Sequence, residues 1–331
     1  MFRPEEYREV ENFYQTTSPT PLHRILGGSL GIAELLAKDE SARFGLNAFK
    51  MLGVRYAMHK LRQQGALPRG ATVACATGGN HGRAVAHASA AMGLSARIYL
   101  PKLALETRRR LIEAEGAAVT IVDGNYDDAV HQVAEDAAKN GWVIVSDTSW
   151  PGYEQVPRWI MAGYTHLVAE ASRQWGTPPD VVVAHGGVGG FACAVGSWFA
   201  RHYGRWRPYL ICAQPERAPA ILEAARAPGP RRLQGSLDTV MDCLSAGEVS
   251  HSAWPFLHSI YDAYVSVEEE SAVQAALAIE AVAGVRAGYS GVCGFAALRT
   301  ILHEEEFAPV REAAGLASGS RALIFLTDGA V

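Results

Sequence analysis

The sequence predicts an α/β protein of two domains, each an open and mostly parallel sheet flanked by helices. The chain has 331 residues, more than one small core needs and about the length of two packed α/β domains. Hydrophobic residues make up 49% of it and charged residues 19%, which predicts a globular protein with a large core. Short β-rich runs also alternate with helical stretches along most of the chain, the pattern of parallel sheets with right-handed crossovers.

The predicted strands are short, continuous and apolar, as is typical of strands buried on both faces. They are Ala71–Ala76, Ala96–Leu100, Ala118–Val122, Trp142–Ser146, Asp180–Ala184, Tyr209–Ala213 and Ala322–Leu326. The predicted helices are Asn80–Met92, Glu106–Glu115, Asp127–Asn140, Val156–Trp175, a helix that ends near His202, Pro219–Ala227, Glu268–Val282 and Val292–Glu305.

Composition and charge exclude several classes of protein. The formal net charge of −4 gives no electrostatic footprint for nucleic acid or for an anionic membrane surface. The acidic N-terminus, MFRPEEYREV, lacks the apolar segment of a secretory signal, and we expect no membrane span. The five cysteines are scattered without a C-x-x-C pair, so we expect neither a metal site nor disulfides, and a cytoplasmic protein. We interpret all five as small buried hydrophobes.

A glycine-rich loop follows the apolar strand VVVA and opens a helix. It consists of Gly186, Gly187, Val188, Gly189 and Gly190. Glycines let the backbone approach a ligand closely, and free N–H groups at a helix N-terminus favour an anion such as phosphate. The alternative is a tight turn that only needs a positive φ. The spacing does not match G-x-G-x-x-G with a following acidic residue, which disfavours a dinucleotide-binding fold.

A second loop joins another strand to a helix and is formed by Thr77, Gly78, Gly79 and Asn80. Its free N–H groups are suited to a carboxylate, and Asn80 offers a side-chain amide to a ligand oxygen. A plain turn with Asn80 as the N-cap of the following helix is an equally good interpretation.

The segment FGLNAFKML predicts the start of another helix, with Asn47 as its cap and Lys50 in its first turn. Apolar neighbours and the positive end of a helix both disfavour the ammonium form of this lysine. A neutral amine is what attack on a carbonyl requires, so Lys50 is a candidate nucleophile. The alternative is a lysine on a solvated helix face, which describes most lysines.

Together with SPTPL over 18–22, these segments resemble the tryptophan-synthase-β-like, fold type II, pyridoxal-phosphate (PLP) enzymes. The resemblance implies that Lys50 carries the cofactor as a Schiff base and that Asn80 lies beside its phenolic oxygen. It also implies that the loop 186–190 holds the phosphate and that the hydroxyl of Thr327 meets the pyridine nitrogen. It further implies a homodimer with a large cofactor-binding domain, 1–46 and 154–331, a small domain, 47–153, and an active site in the cleft between them.

Within that family the chain is most similar to the diaminopropionate ammonia-lyases, through FGLNAFKMLG, GNHGRAVA, NYDDAV and SDTSWPGYEQVPRWIMAGY. The resemblance implies α,β-elimination on a small amino acid, with 2,3-diaminopropionate converted to pyruvate and ammonia. It makes Asp147 an acid/base group, and places the substrate carboxylate on Thr77, Gly78, Gly79 and Asn80. Without the resemblance, Asp147 is better interpreted as capping a turn.

The chain departs from this family in three places. Gly78 stands where the family has an aspartate associated with the D-isomer, so acceptance of both stereoisomers is in question. Tyr289 stands where the family has a glutamate, and the chain ends at Val331, where family members run on; both differences could alter the site. The alternatives are therefore a β-replacement synthase, a serine, threonine or hydroxyaspartate dehydratase, and a non-catalytic relative.

Other charged and titratable residues are given structural interpretations. We expect Arg108–Arg110 to form a solvated face. Three histidines near the loops, His81, His87 and His185, are interpreted as packing or supporting residues. Asp127 and its neighbours are expected to begin a helix.

Overall fold

The computed structural model of the chain describes residues 2–331 and confirms the predicted α/β class. Its strands are β1 (Leu22–Leu26), β2 (Glu34–Asp39), β3 (Thr72–Ala76), β4 (Ser95–Pro101), β5 (Ala118–Val122), β6 (Val143–Ile144), β7 (Val181–His185), β8 (Tyr209–Pro215), β9 (Ala263–Val267) and β10 (Arg321–Leu326). Its helices are α1 (Pro4–Phe13), α2 (Met51–Gln63), α3 (Asn80–Ala91), α4 (Glu106–Ala114), α5 (Tyr126–Asn140), α6 (Gln155–Ser172), α7 (Gly190–Tyr203), α8 (Ala220–Arg226), α9 (Trp254–Ile260), α10 (Glu269–Ala283), α11 (Cys293–His303) and α12 (Ala308–Ala313).

The strands form two sheets. The larger has the order β1-β2-β10-β7-β8-β9, in which the β1–β2 pair is antiparallel and the other pairs are parallel. The smaller has the order β5-β4-β3-β6 and is parallel throughout. Every residue of β7 is buried, as the run VVVAH predicts for a strand covered on both faces.

Helices α2 and α6 pack closely against each other because glycines face one another at their contact. A Cβ on Gly53 would lie 2.5 Å from the ring of Tyr164, and one on Gly163 would lie 2.5 Å from the carbonyl oxygen of Leu52. Neither clash can be relieved cheaply, since the neighbours are backbone or a buried ring. This close approach fixes the start of α2, and with it Lys50, against α6.

The strand and helix pattern predicted most elements to within a few residues, but it missed several. Those missed are α1, β1, β2, α9, β9 and α12. Most of them border Pro- or Gly-containing segments or are short, where pattern is weak. In the part of the chain from residue 2 onward, none of the helices has the length and apolar character needed to cross a bilayer. The two-domain boundaries given above stay a prediction.

Candidate active site

A cavity lies where strands of both sheets end. The residues that follow β3, β7 and β10 line it, and so does Asp147 beyond β6. In open α/β sheets, ligands bind in the crevice outside the carboxyl ends of the strands. The cavity brings together Lys50, both glycine-containing loops, Asp147 and Thr327, which lie far apart in the sequence.

The closest charged pair in the cavity is formed by Lys50 and Asp147, whose Nζ and Oδ2 atoms are 2.5 Å apart. Lys50 Nζ also lies 5.3 Å from the ring centroid of Phe49 and 5.8 Å from that of Tyr164. The amine therefore has one carboxylate partner, two aromatic neighbours and an open side toward the cavity.

Two sequence expectations about Lys50 are wrong in detail. Helix α2 begins at Met51, with Lys50 as its N-cap residue; Asn47 does not cap it, because it has a positive φ of 62° and donates its side-chain amide to the carbonyl of Ala330. The ammonium form is also favoured rather than disfavoured. Burial lowers the pKa of Lys50, but the charge of Asp147 and its hydrogen bond, together with Tyr164 and Cys243, raise it overall.

The pKa of Asp147 is shifted in the direction that favours its charged form, as is the pKa of Lys50. Burial by itself would raise the pKa of Asp147, whereas His81 and the Lys50 ammonium lower it, and the result is a pKa of about 2. His81 Nδ1 lies 3.7 Å from the Asp147 carboxylate, and its Nε2 lies 2.8 Å from the carbonyl oxygen of Val145. Asp147 is therefore an ionised group held at the amine, not the turn cap that its local sequence favours.

The loop after β3 is held in place by its own threonine. The hydroxyl of Thr77 accepts hydrogen bonds from the backbone N–H groups of Gly79, at 2.9 Å, and Gly82, at 3.2 Å. Because the Gly79 amide donates to Thr77, it is not available to a ligand. The backbone amides of Asn80 and His81, at the start of α3, are better suited to bind a carboxylate.

The glycine loop after β7 is anchored from behind by Gln214, a residue that the sequence pattern did not single out. Its side-chain amide donates to the carbonyls of Gly186, at 2.8 Å, and Gly187, at 3.2 Å, and it accepts from two backbone amides at the start of α8. Gly189 has a φ of 97°, and a Cβ there would lie 2.5 Å from Leu257. Gln214 thus binds the carbonyl groups of Gly186 and Gly187, and the amide groups of the loop are left for a ligand in the cavity.

A largely buried ion network adjoins the cavity, which its members Asn80, Asp242 and Asp328 line. The guanidinium of Arg108 contacts Asp242 at 2.5 Å and 3.0 Å and Asp328 at 3.4 Å. It also donates to the side-chain oxygen of Asn80 at 2.7 Å, while the Asn80 amide donates to Asp328 at 2.9 Å. Arg108 is only 4% exposed, so the expectation of a solvated face was wrong for this residue.

The comparisons with known proteins agree with this geometry. A family model described as "Pyridoxal-phosphate dependent enzyme" matches residues 14–319. The diaminopropionate ammonia-lyase of Escherichia coli (strain K12) is 31% identical over 99% of this chain and 89% of its own length, and that of Salmonella typhimurium is 32% identical over 94% and 85%. A crystal structure of the E. coli enzyme, in complex with an aminoacrylate-PLP azomethine reaction intermediate, superposes with a TM-score of 0.92 over 99% of this chain and 89% of that chain, at 31% identity. The chain belongs to the diaminopropionate ammonia-lyase family of PLP-dependent enzymes.

The residues present fit the cofactor of this family. PLP needs an amine for its aldehyde, donors for its phosphate and a partner for its ring nitrogen. Lys50 supplies the amine, the amides of 187–190 supply donors at a helix N-terminus, and Thr327 supplies a hydroxyl on the same cavity. A Cβ on Gly187 would lie 3.2 Å from the backbone of Leu244, so the cradle tolerates no side chain at that position without displacement.

Several cavity residues were missed by sequence reasoning. Tyr126, from the NYDD segment, lines the cavity, and burial together with the charge of Asp147 raises its pKa. Asp242, Cys243 and Ser290 line it as well, from turns of irregular structure. The NYDD segment was the available signal for Tyr126, whereas the turn 242–245 has no local pattern that could have revealed it.

Proposed function

We propose that this protein is a PLP-dependent ammonia-lyase that carries out α,β-elimination on 2,3-diaminopropionate and releases pyruvate and ammonia. The observation that carries the proposal is the Lys50 amine, 2.5 Å from Asp147, in a cavity that also contains the glycine loop and Thr327. The E. coli and Salmonella relatives named diaminopropionate ammonia-lyase support this substrate, since each matches nearly the whole chain.

The residues divide the work as follows. When bound, PLP supplies covalent attachment through its aldehyde and delocalises the electrons left after loss of the Cα proton. Lys50 attaches the cofactor, and the amides of Gly187, Val188, Gly189 and Gly190 with the N-terminus of α7 hold its phosphate. Gly186 tethers the loop through Gln214 and through its own amide, which donates to Ala213.

Proton transfer falls to the Lys50–Asp147 pair. When Lys50 is not attached to the cofactor, its amine would, in the neutral form, serve as the base that takes the Cα proton, and Asp147 holds it in place. The leaving β-amino group departs with a proton, which the same pair can return. The amides of Asn80 and His81 would orient the substrate carboxylate, and the side chain of Asn80 would lie beside the phenolic oxygen of the cofactor.

A screen of amino acids against the holoenzyme tests the proposal. We expect keto-acid and ammonia release to be fastest with 2,3-diaminopropionate and slower with serine, threonine and hydroxyaspartate. Faster turnover of a hydroxy amino acid would contradict the ammonia-lyase assignment and favour a dehydratase. Product formation that requires an added thiol or amine would favour a β-replacement synthase, and a colourless protein that borohydride leaves unmodified would favour the non-catalytic relative.

We further propose a preference for the L-isomer. The cavity holds no side chain at Gly78, and a Cβ built there would lie 3.2 Å from the carbonyl oxygen of Asp242. The turn at 242–245 thus borders the position where the family has an aspartate, and Asp147 is the carboxylate next to the amine. The ratio of L- to D-diaminopropionate turnover measures this preference, and equal rates would contradict it. Tyr289, the second departure, is 42% exposed and lines a neighbouring cavity, which argues against a direct role in the chemistry.

Assembly and location complete the proposal. We propose a cytoplasmic homodimer, supported by similarity to the family and by the reduced state of all five cysteines, four of which are buried. Sedimentation equilibrium of the holoprotein is expected to give twice the chain mass of 35.5 kDa. A monomer that retains full activity would contradict the dimer.

A further inference from the structure

His185 lies directly behind the hydroxyl that faces the proposed position of the cofactor ring. It is the last residue of β7, is only 1% exposed, and its Nε2 lies 2.8 Å from Thr327 Oγ1. Thr327 lines the cavity, so the imidazole and the hydroxyl form a short chain that points from the core to the cavity.

The surroundings of the second ring nitrogen of His185 indicate which residue donates the hydrogen bond between His185 and Thr327. Nδ1 is buried and has no hydrogen-bond partner among residues 2–331. A neutral imidazole has one N–H and one lone pair, so an isolated Nδ1 is either an unpaired donor or an unpaired acceptor. Buried N–H groups without an acceptor are rarer in proteins than under-satisfied acceptors. The proton therefore belongs on Nε2, which donates to Thr327.

We propose that His185 is a positioning residue that makes the Thr327 hydroxyl a hydrogen-bond donor to the ring nitrogen of PLP, and so keeps that nitrogen unprotonated. The inference rests on the proposed function, which puts the ring nitrogen at Thr327. A threonine hydroxyl has one hydrogen to donate. Because the Thr327 oxygen accepts a hydrogen bond from His185, the Thr327 hydrogen is free to be donated to an acceptor in the cavity. A protonated ring nitrogen would be a second donor facing this hydroxyl donor, which is unfavourable.

The burial of His185 reinforces this direction. Burial, with a smaller contribution from the Lys50 charge, lowers the pKa of His185 to about 3, so the ring is neutral near pH 7. Protonation would place N–H groups on both nitrogens and would leave Nε2 a donor to Thr327. Only the neutral tautomer with its proton on Nδ1 would make Thr327 the donor and His185 the acceptor.

Nitrogen-15 NMR tests the inference on the intact holoenzyme. Enzyme reconstituted with PLP labelled at the ring nitrogen is expected to give the chemical shift of an unprotonated pyridine. His185→Gln, which retains an N–H donor, is expected to leave that shift unchanged. His185→Phe, which removes the donor, is expected to move the signal toward the protonated value as the pH is lowered. A wild-type signal at the pyridinium position would overturn the inference.

Thr327→Val separates failure of this inference from failure of the proposed function. If Thr327→Val leaves the ring-nitrogen shift unchanged, the ring nitrogen does not lie at Thr327, and the proposed cofactor placement fails as well. If Thr327→Val moves the shift but His185→Phe does not, only the role of His185 fails. Histidine labelled with ¹⁵N in the wild-type protein gives the tautomer directly, even if His185→Phe does not fold, and a proton on Nδ1 would overturn the inference.

Discussion

Two lysines of this protein each lie 2.5 Å from a carboxylate oxygen, and yet their surroundings differ. Lys38 contacts Glu170 in the core, and Lys50 contacts Asp147 in the cavity. The side chain of Lys38 has no exposed surface, whereas that of Lys50 retains 19%. Distance to a carboxylate therefore does not distinguish a structural lysine from a reactive one.

The number of partners does distinguish them. Lys38 uses all three N–H donors, on the carbonyl of Thr20 at 2.8 Å, on Glu170, and on the side-chain oxygen of Gln174 at 2.9 Å. Among residues 2–331, the side chain of Lys50 has one hydrogen bond, to Asp147, and it lines the cavity. An amine with unused donors can reach an aldehyde, but one enclosed by acceptors cannot.

The neighbouring charges differ as well. Burial lowers the pKa of Lys38, and although Glu40 and Glu170 oppose burial, the nearby Arg43 shares these carboxylates. Burial also acts on Lys50, but Asp147, with smaller contributions from other groups, raises its pKa overall. The core cluster thus joins two cations and two carboxylates, while the Lys50–Asp147 pair lines the cavity.

The largest effect is expected from Lys50→Ala. Turnover should fall at least about 10⁴-fold, because covalent attachment and a proton-transfer group are both lost. The measurements are kcat for the holoenzyme and borohydride reduction followed by peptide mass spectrometry. Label recovered on Lys38, or on any other lysine, in the wild-type protein would show that the wrong amine has been assigned.

Lys38→Met is the matched change in the core and should act on stability instead. Removing one partner of a buried ion pair costs about 3–5 kcal/mol, so the free energy of unfolding should fall by that amount. Denaturant titration measures it, while turnover per folded molecule should stay at the wild-type value. A variant as stable as the wild type would mean that the cluster of Lys38, Glu40, Arg43 and Glu170 contributes little to folding.

Asp147→Asn should lower kcat by about 10²–10³-fold, since the asparagine neither holds the amine as strongly nor exchanges a proton. Burial then acts on Lys50 without an opposing carboxylate, so the pKa of the free amine in the apoprotein should fall. Asp127→Asn is the control, because Asp127 is a buried carboxylate at the start of α5 that does not line the cavity. An equal loss of activity in both variants would indicate a structural effect.

The smallest effect concerns acid stability. Asp147 has a pKa of about 2 in the folded chain against an ordinary 3.8, so its contribution to stability is present above the ordinary value and is lost as the pH falls toward 2. The difference corresponds to about 2 kcal/mol. Urea unfolding of the apoprotein at a series of pH values should show this loss, and the Asp147→Asn variant should lack that part of it. Identical pH dependence in the two proteins would contradict the ionised pair.

Much of this site could be predicted from local sequence. The strand VVVAH followed by glycines predicted a loop at a helix N-terminus, and the family segments predicted the placement of Lys50 and Asp147. The local argument failed where the deciding group is remote in sequence. It predicted that the ammonium form of Lys50 is disfavoured, because it did not take into account Asp147, which is 97 residues away in the sequence.

The sequence by itself determined the alternation of strands and helices, the glycine loops and the family, because apolar runs and turn residues act over a few neighbouring positions. The tertiary structure decided which of the two paired lysines lines the cavity, why Arg108 is internal, and which atom of His185 meets Thr327. Those outcomes depend on charges and hydrogen-bond partners that come together only when the two sheets pack, and the strength of such contacts is set by burial that no short segment encodes.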